Sequence, residues 1–544
     1  MTRIISPTFV AAETDVYKQA GVWSGKLLPS YGAELASSQP DLIGIVDRGV
    51  RYTFGELEAW ALDVADFLYS LGVGPGQAVT FQLPNWVEAV VLNQAILKLG
   101  AVSNPVIPIY REREMEFILR EAESAVYVVP AHFRQFDYVG MALQLCQDIP
   151  TLRQVVTAGD SHRPGVVSLP KLPAVTSPIA SRQTCYEGSP DDPVLLLYTS
   201  GTTANPKGVI HTHNTLIAED LNMIEWHGWG SEDVVFMPAP VTHIAGYLYA
   251  LLLPFILRTK AVLLDTWDPT KAVELIRDER CTITVAATTF LQDIVDTAKN
   301  QGLPAGSLPF KTFACGGAEV PPKLIYDALE YGVQAGRVYG SSEYPTFCCF
   351  SLASSIHQRA MTDGIPMLGE NRIVDDDGND CRPGETGELL VRGPEMFVGY
   401  LEASLNAEFT EHGWFRTGDL FTQHEDGYLE FAGRKKDIIN RGGEKISSKE
   451  VEDLLFKHPL CHEVAVVAMP DERLTEKACA FIVPEHPDRP PTLEDLTEFL
   501  SKERVAKQKY PERLEIVSRL PKTLSGKIQK NVLREEIKRR LGLT

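Results

Sequence analysis

Apolar residues recur at helical spacing through residues 53–72 (TFGELEAWALDVADFLYSLG), and the run closes on Gly72. The spacing predicts one amphipathic helix there, with Gly72 as its C-cap. Residues 88–99 predict a second helix that stops at Gly100. Short apolar runs at 125–129, 193–197 and 261–264 are bounded by turn residues, and several alternate with helical stretches. That alternation predicts an α/β fold with doubly wound, largely parallel sheets. The rhythm changes over residues 370–432, where Gly and Asp punctuate brief runs such as ELLVRG and GYLEFAG. A strand-rich subdomain is expected there. After Arg434 comes a smaller α+β region, with a surface loop at 484–491 and a Lys/Arg-rich helix over 528–541. The main boundary falls at Lys436, giving domains 1–435 and 436–544. The longest apolar stretch, residues 247–257, is too short to span a bilayer and contains Pro254, so it predicts a buried helix.

Length and charge narrow the class. A chain of 544 residues exceeds one ordinary core, so two or more domains are required. A formal net charge of −20 opposes a nucleic-acid partner or an anionic membrane surface. It leaves small anionic ligands open, because a few placed cations hold a phosphate locally. The nine cysteines are scattered without a CxxC pair, which predicts reduced thiols in a cytoplasmic protein. Adjacent Cys348 and Cys349 read as packed positions, not a disulfide. The N-terminus lacks the apolar core of a signal peptide, and Gly542-Leu543-Thr544 is no peroxisomal address. A homodimer is left open.

Candidate chemistry begins at residues 198–208, YTSGTTANPKG. Thr199, Ser200, Thr202 and Thr203 supply hydroxyls, Gly201 and Gly208 permit tight turns, and Lys207 adds a compact positive charge. Such a loop can cradle phosphate oxygens, although it lacks the GxxxxGKS/T pattern and equally suits a surface turn. Gly316-Gly317-Ala318 suits either a strand-to-helix turn or the close approach of a flat ligand. His211 and His213 have no third ligand nearby and read as surface or packing residues.

Taken together, that loop, YGSSE at 339–343, RTGD at 416–419, GRKKDIINRGGEKISSKEVE at 433–452 and PKTLSGKIQK at 521–530 resemble the acyl-adenylate-forming superfamily. This superfamily holds acyl- and aryl-CoA ligases, peptide-synthetase adenylation domains and insect luciferases. The resemblance runs from about residue 52 to residue 530, with five blocks in order. It implies a large adenylating domain, a small mobile C-terminal lid domain and a hinge at Lys436. The loop, with Lys207, would meet the β- and γ-phosphates of ATP. Tyr339 and Gly340, with Gly316, Gly317 and Ala318, would border the adenine. Ser342 would contact the α-phosphate, and Glu343 would hold Mg2+, a hard cation that prefers carboxylate oxygen. Asp419 would take both ribose hydroxyls, and Arg434 would reach the ribose or phosphate. Lys527 would contact the carboxylate and α-phosphate during adenylation. Gly442 and Gly443 would then line a thiol tunnel for CoA.

Two positions depart from the superfamily's usual pattern. Ser342 stands where Thr is usual and keeps the hydroxyl. Ala204 stands where most relatives have glycine, at an expected cost of about 1 kcal/mol if that position needs φ > 0.

Residues 238–247, PAPVTHIAGY, resemble the segment carrying a histidine beside the acyl pocket. His243 is the candidate gate, and Ala239, Tyr247, Ala314 and Gly316 give an apolar lining. No acidic residue stands where adenylation domains hold an amino group, which favours a hydrophobic acid. No carrier-protein module is appended, so free CoA is the simplest acceptor. The expectation is an ATP-dependent carboxylic acid–CoA ligase acting on a medium-chain fatty, alicyclic or aromatic acid. The alternatives are a stand-alone adenylating enzyme that loads a carrier protein, and a non-catalytic nucleotide sensor.

Overall fold

The computed structural model describes residues 14–172, 186–199, 206–410, 412–442, 444–503, 505–523 and 527–543. The chain divides into two compact units, residues 1–370 with 392–414, and residues 371–391 with 415–544.

In the first unit, the helix expected over 53–72 spans Phe54–Ser70. The Thr53 hydroxyl accepts the Glu56 N–H, and the Glu56 carboxylate accepts the Thr53 N–H at 2.8 Å, a reciprocal cap. Gly72, at φ +79°, turns the chain away just beyond it. The second expected helix spans Val87–Lys98, and Gly100 follows at φ +63°.

Two sheets flank these helices. In the nine-stranded sheet, Ile43–Asp47, Lys260–Leu263, Val234–Met237, Ile283–Ala287, Thr312–Gly316 and Ala335–Tyr339 lie side by side in parallel. Antiparallel strands Val50–Thr53 and Cys348–Cys349 flank this parallel set. The seven-stranded sheet is parallel except for its edge hairpin, where Lys207–Thr212 pairs back onto Pro193–Thr199. Strands such as Ile283–Ala287 and Val126–Pro130 are buried at every residue, as parallel strands covered on both faces require. One apolar core joins residues of both sheets with the two helices between them.

The stretch 247–257 is buried, as expected, but is not a uniform α-helix. Tyr247–Leu252 winds as a π-helix and only Leu253–Leu257 is α-helical. Pro254 has no N–H and its ring crowds the carbonyl four residues earlier, so the wider turns precede it.

The second unit holds a four-stranded sheet of Glu370–Val374, Thr386–Arg392, Phe415–Gln423 and Leu429–Arg434, the last three paired antiparallel. These are the strands expected over 370–432. A five-stranded sheet follows, with Cys461–Asp471 and Thr475–Pro484 as its long hairpin. Alternate residues of that first strand feed two cores: Val464 and Val466 join one, Ala465 and Val467 the other. The basic C-terminal helix spans Lys530–Arg540. Lys530 Nζ lies 2.8 Å from the buried Glu452 carboxylate and 2.8 Å from Ser448 Oγ, tying two of the sequence blocks together. By contact, the four-stranded sheet groups with the C-terminal residues, so Lys436 lies inside the second unit, in the turn Lys435–Asp437.

Candidate active site

In open parallel sheets, ligand groups gather beyond the carboxyl ends of the strands. Three strands of the nine-stranded sheet place sequence candidates there, two of them adjacent and the third separated from them by Ile283–Ala287. Val234–Met237 leads into Ala239 and His243, Thr312–Gly316 ends on Gly316, and Ala335–Tyr339 leads into Gly340. Backbone closeness explains two of the glycines. A Cβ on Gly316 would sit 2.3 Å from the Val338 carbonyl oxygen, and one on Gly340 would sit 1.8 Å from the Pro345 oxygen. Gly317 has φ +78°, so the strand leaves the sheet through a glycine-dependent turn before the helix Pro322–Glu330. The turn reading of Gly316-Gly317-Ala318 therefore holds.

The YGSSE turn is closed by its own serine. Ser341 Oγ accepts the N–H of both Glu343 and Tyr344 at 3.2 Å, and the Ser341 N–H donates to the Tyr344 carbonyl at 2.8 Å. Fully buried His211 holds the turn from behind, with Nε2 2.7 Å from the Ser342 carbonyl oxygen. A carbonyl can only accept, so Nε2 carries the proton and Nδ1 faces the Thr215 hydroxyl at 3.1 Å. Burial depresses the imidazole to about 4, so it is neutral at pH 7. His213 is also buried, and its Nδ1 accepts the Leu28 N–H at 3.0 Å.

Glu343 and Lys207 meet through a residue that the sequence did not single out. Tyr400 donates its hydroxyl to Glu343 Oε1 at 2.7 Å, and Lys207 Nζ lies 5.1 Å from the centre of its ring. Burial, and then the Glu343 carboxylate, push the phenol far above its ordinary range. Residues 398–401 pair with the edge strand that begins at Lys207: Val398 N–H donates to Ile210 and Leu401 N–H to Gly208. The Phe397 N–H donates to the Glu343 carbonyl at 2.8 Å. Tyr400 lies 57 positions from Glu343, so no local spacing pointed to it.

The acyl-pocket candidates Ala239, Tyr247 and Ala314 belong to one apolar cluster. Buried Asn85, also missed from the sequence, clamps the segment leading to His243. Its amide donates to the Met237 and Ala239 carbonyls at 3.2 and 2.9 Å and accepts the Val241 N–H at 2.9 Å. Gly246 closes this bend, since a Cβ there would sit 2.0 Å from the Pro240 oxygen.

In the second unit, Asp419 and Arg434 face each other across paired strands, with Arg434 Nε 3.3 Å from Asp419 Oδ1. Thr417 Oγ accepts the Asp419 N–H at 3.1 Å and donates to the Leu389 carbonyl at 2.8 Å. Gly442, at φ +60°, opens the tight hairpin between Ile438–Arg441 and Glu444–Ser447. Beside it lies a pocket of about 610 Å3 lined in part by Arg441, Arg473, Leu474 and Glu512. Lys527 leaves a turn in which its carbonyl accepts the Thr523 N–H at 2.7 Å. Ser200, Gly201, Thr202, Thr203 and Ala204, as well as Gly443, lie outside the described residues.

The AMP-binding enzyme family matches residues 33–401, and the AMP-binding enzyme C-terminal domain matches residues 450–527. The chain is 38% identical over 541 residues to the medium-chain fatty-acid–CoA ligase of Escherichia coli, covering 99% of this chain and 95% of that one. It is 31% identical over 542 residues to the 2,3-dihydroxybenzoate-AMP ligase of Bacillus subtilis, with 97% and 96% covered. Among solved structures, the anthranilate CoA ligase AuaEII in complex with anthranoyl-AMP superposes with a TM-score of 0.83 at 25% identity, covering 95% of this chain and 98% of that one.

Proposed function

We propose, for a chain that belongs to the AMP-binding enzyme family and is an AMP-forming acid–thiol ligase, that it activates a medium-length fatty, alicyclic or aromatic acid and transfers it to free coenzyme A. The observation that carries the choice of acid is the burial of the candidate pocket residues. Ala239, Tyr247 and Ala314 lie buried in one cluster of hydrophobic side chains, and the segment 238–247 offers no carboxylate to an amino group. The medium-chain substrate named for the Escherichia coli relative supports the same reading.

In the first half-reaction the substrate carboxylate attacks the α-phosphorus, and the bond to pyrophosphate breaks. Nucleophile and electrophile are both anionic, so cations must neutralise them as they approach. Lys207 would meet the outer phosphates, and Ser342 the α-phosphate. Glu343 fits a Mg2+ ligand: it is a hard oxygen donor, Tyr400 holds Oε1, and among the described residues no hydrogen bond engages Oε2. Bound there, Mg2+ would neutralise phosphate charge. Asp419, braced by Arg434 and Thr417, presents a carboxylate that suits two ribose hydroxyls. Lys527 would stabilise the charge that develops on the α-phosphate.

In the second half, a thiolate attacks the acyl carbonyl, the bond to the AMP oxygen breaks and AMP leaves. Rotation about Lys436 would exchange Lys527 for the Gly442 hairpin, where the absence of side chains suits a narrow pantetheine arm. The scattered free thiols suit a reducing cytoplasm.

Purified protein with ATP, Mg2+, CoA and a panel of hydrophobic and amino acids tests this reading. AMP release with octanoate or benzoate and none with amino acids is expected. The relative named salicyl-AMP ligase / salicyl-S-ArCP synthetase, from Mycobacterium tuberculosis, favours a second reading, transfer to a carrier protein. AMP turnover that requires a carrier protein and ignores CoA selects that reading.

A further inference from the structure

We propose that Tyr400 is the positioning residue that sets Lys207 and Glu343 as one unit, so that the phosphate-binding cation and the metal carboxylate are held in fixed relation. This rests on the reading of Glu343 as the Mg2+ ligand. Both contacts come from opposite parts of one side chain. The hydroxyl donates to Glu343 Oε1 at 2.7 Å, while the ring lies under Lys207 Nζ at 5.1 Å. A charge-assisted hydrogen bond fixes the carboxylate's rotamer and leaves its second oxygen as the freer donor.

The ring has little freedom of its own. Tyr400 is buried, its N–H donates to Asn406 Oδ1 at 2.8 Å, and Phe397 packs edge-on at 4.8 Å between centroids. Its backbone bridges to Val209, two residues beyond Lys207. The Phe397 N–H reaches the Glu343 carbonyl from the same segment. Residues 397–400 thus grip both the edge strand and the YGSSE turn. The segment transmits the position of one to the other, and Tyr400 carries the link into the side chains.

The two halves of Tyr400 separate experimentally. Tyr400→Phe keeps the ring and removes the hydroxyl, whereas Tyr400→Leu removes both. Binding is read at equilibrium from the free Mn2+ resonance in titrations with ATP, and from calorimetry with ATP in EDTA. Tyr400→Phe should weaken Mn2+-dependent ATP binding roughly tenfold and leave binding in EDTA within about twofold. Tyr400→Leu should weaken both. Glu343→Gln should abolish most of the Mn2+ dependence, and Tyr400→Phe should add nothing in that background, because it acts through Glu343. Wild-type Mn2+ dependence in Tyr400→Phe, with Glu343→Gln impaired, overturns the role of Tyr400 alone. An undiminished Glu343→Gln removes the metal carboxylate, and the proposal with it.

Discussion

His211 Nε2 donates to the Ser342 carbonyl oxygen at 2.7 Å, 131 positions away, and so fixes the backbone of the turn that carries Ser342 and Glu343. The imidazole is fully buried and neutral, which suits a fixed donor and rules out a role as a proton carrier near pH 7. His211→Ala leaves a buried carbonyl unpaired, a loss of about 1–3 kcal/mol. Adenylation should slow roughly tenfold or more while the KM for the acid stays unchanged, and His211→Gln should restore part of the rate. Stopped-flow measurement of pyrophosphate release separates these outcomes.

Asp419 is expected to read the ribose. Asp419→Ala should weaken ATP binding about tenfold, the size of a lost charged hydrogen bond. Replacing ATP by 2′-deoxy-ATP should cost the native protein more than the variant. Equal costs in both would remove the ribose from Asp419's duties.

Lys527 is expected to serve only the first half-reaction. Lys527→Ala should lower acid-dependent pyrophosphate exchange at least about a hundredfold, as loss of a transition-state cation does. Thioester formation from supplied acyl-adenylate and CoA should proceed at the native rate. A matching loss in both halves would contradict the assignment.

Glu219 makes stability depend on pH. Burial pushes its carboxyl up to about 7 from the ordinary 4.5, with Tyr249 donating to Oε1 at 2.6 Å. Asp220 and Glu395, buried in the same region, are pushed up as well, and so are the Tyr249 and Tyr344 phenols. Between pH 4.5 and 7 the unfolded chain gives up a proton at Glu219 that the folded chain keeps, so rising pH destabilises the fold across that window. Glu219→Gln removes the titration and retains an acceptor for Tyr249. Its stability advantage over the native chain should grow from pH 4.5 to 7, by up to about 3 kcal/mol, and then level off. Denaturant unfolding at several pH values checks this, and an advantage that shrinks with pH would contradict it.

Much of the fold could be read directly from the sequence. The apolar spacing and the glycines at 72 and 100 marked two helices to within a few residues, because helix ends obey local rules. The strand-rich stretch before Lys436 was equally plain. The π-helical turns at Tyr247–Leu252 were not, since apolar content is the same in either winding. The candidate site divides in the same way. Lys207, Glu343, Asp419 and Lys527 stand in contiguous blocks, and it is the resemblance of those blocks, in order, to the acyl-adenylate-forming superfamily that marked them as candidates. Tyr400, His211 and Asn85 act across 57, 131 and more than 150 positions, through side-chain contacts between distant segments that no short pattern encodes. His213 could be weighed in sequence only as surface or packing, and burial against the Leu28 N–H decides for packing.

The most direct measurement is acid-dependent formation of AMP and acyl-CoA from ATP, followed by mass spectrometry with octanoate, benzoate and a polar amino acid as competing substrates. Octanoyl- or benzoyl-CoA is expected, with AMP in equal amount and no aminoacyl product. Preferential activation of the amino acid, or AMP without any CoA thioester, would contradict a hydrophobic acid–CoA ligase.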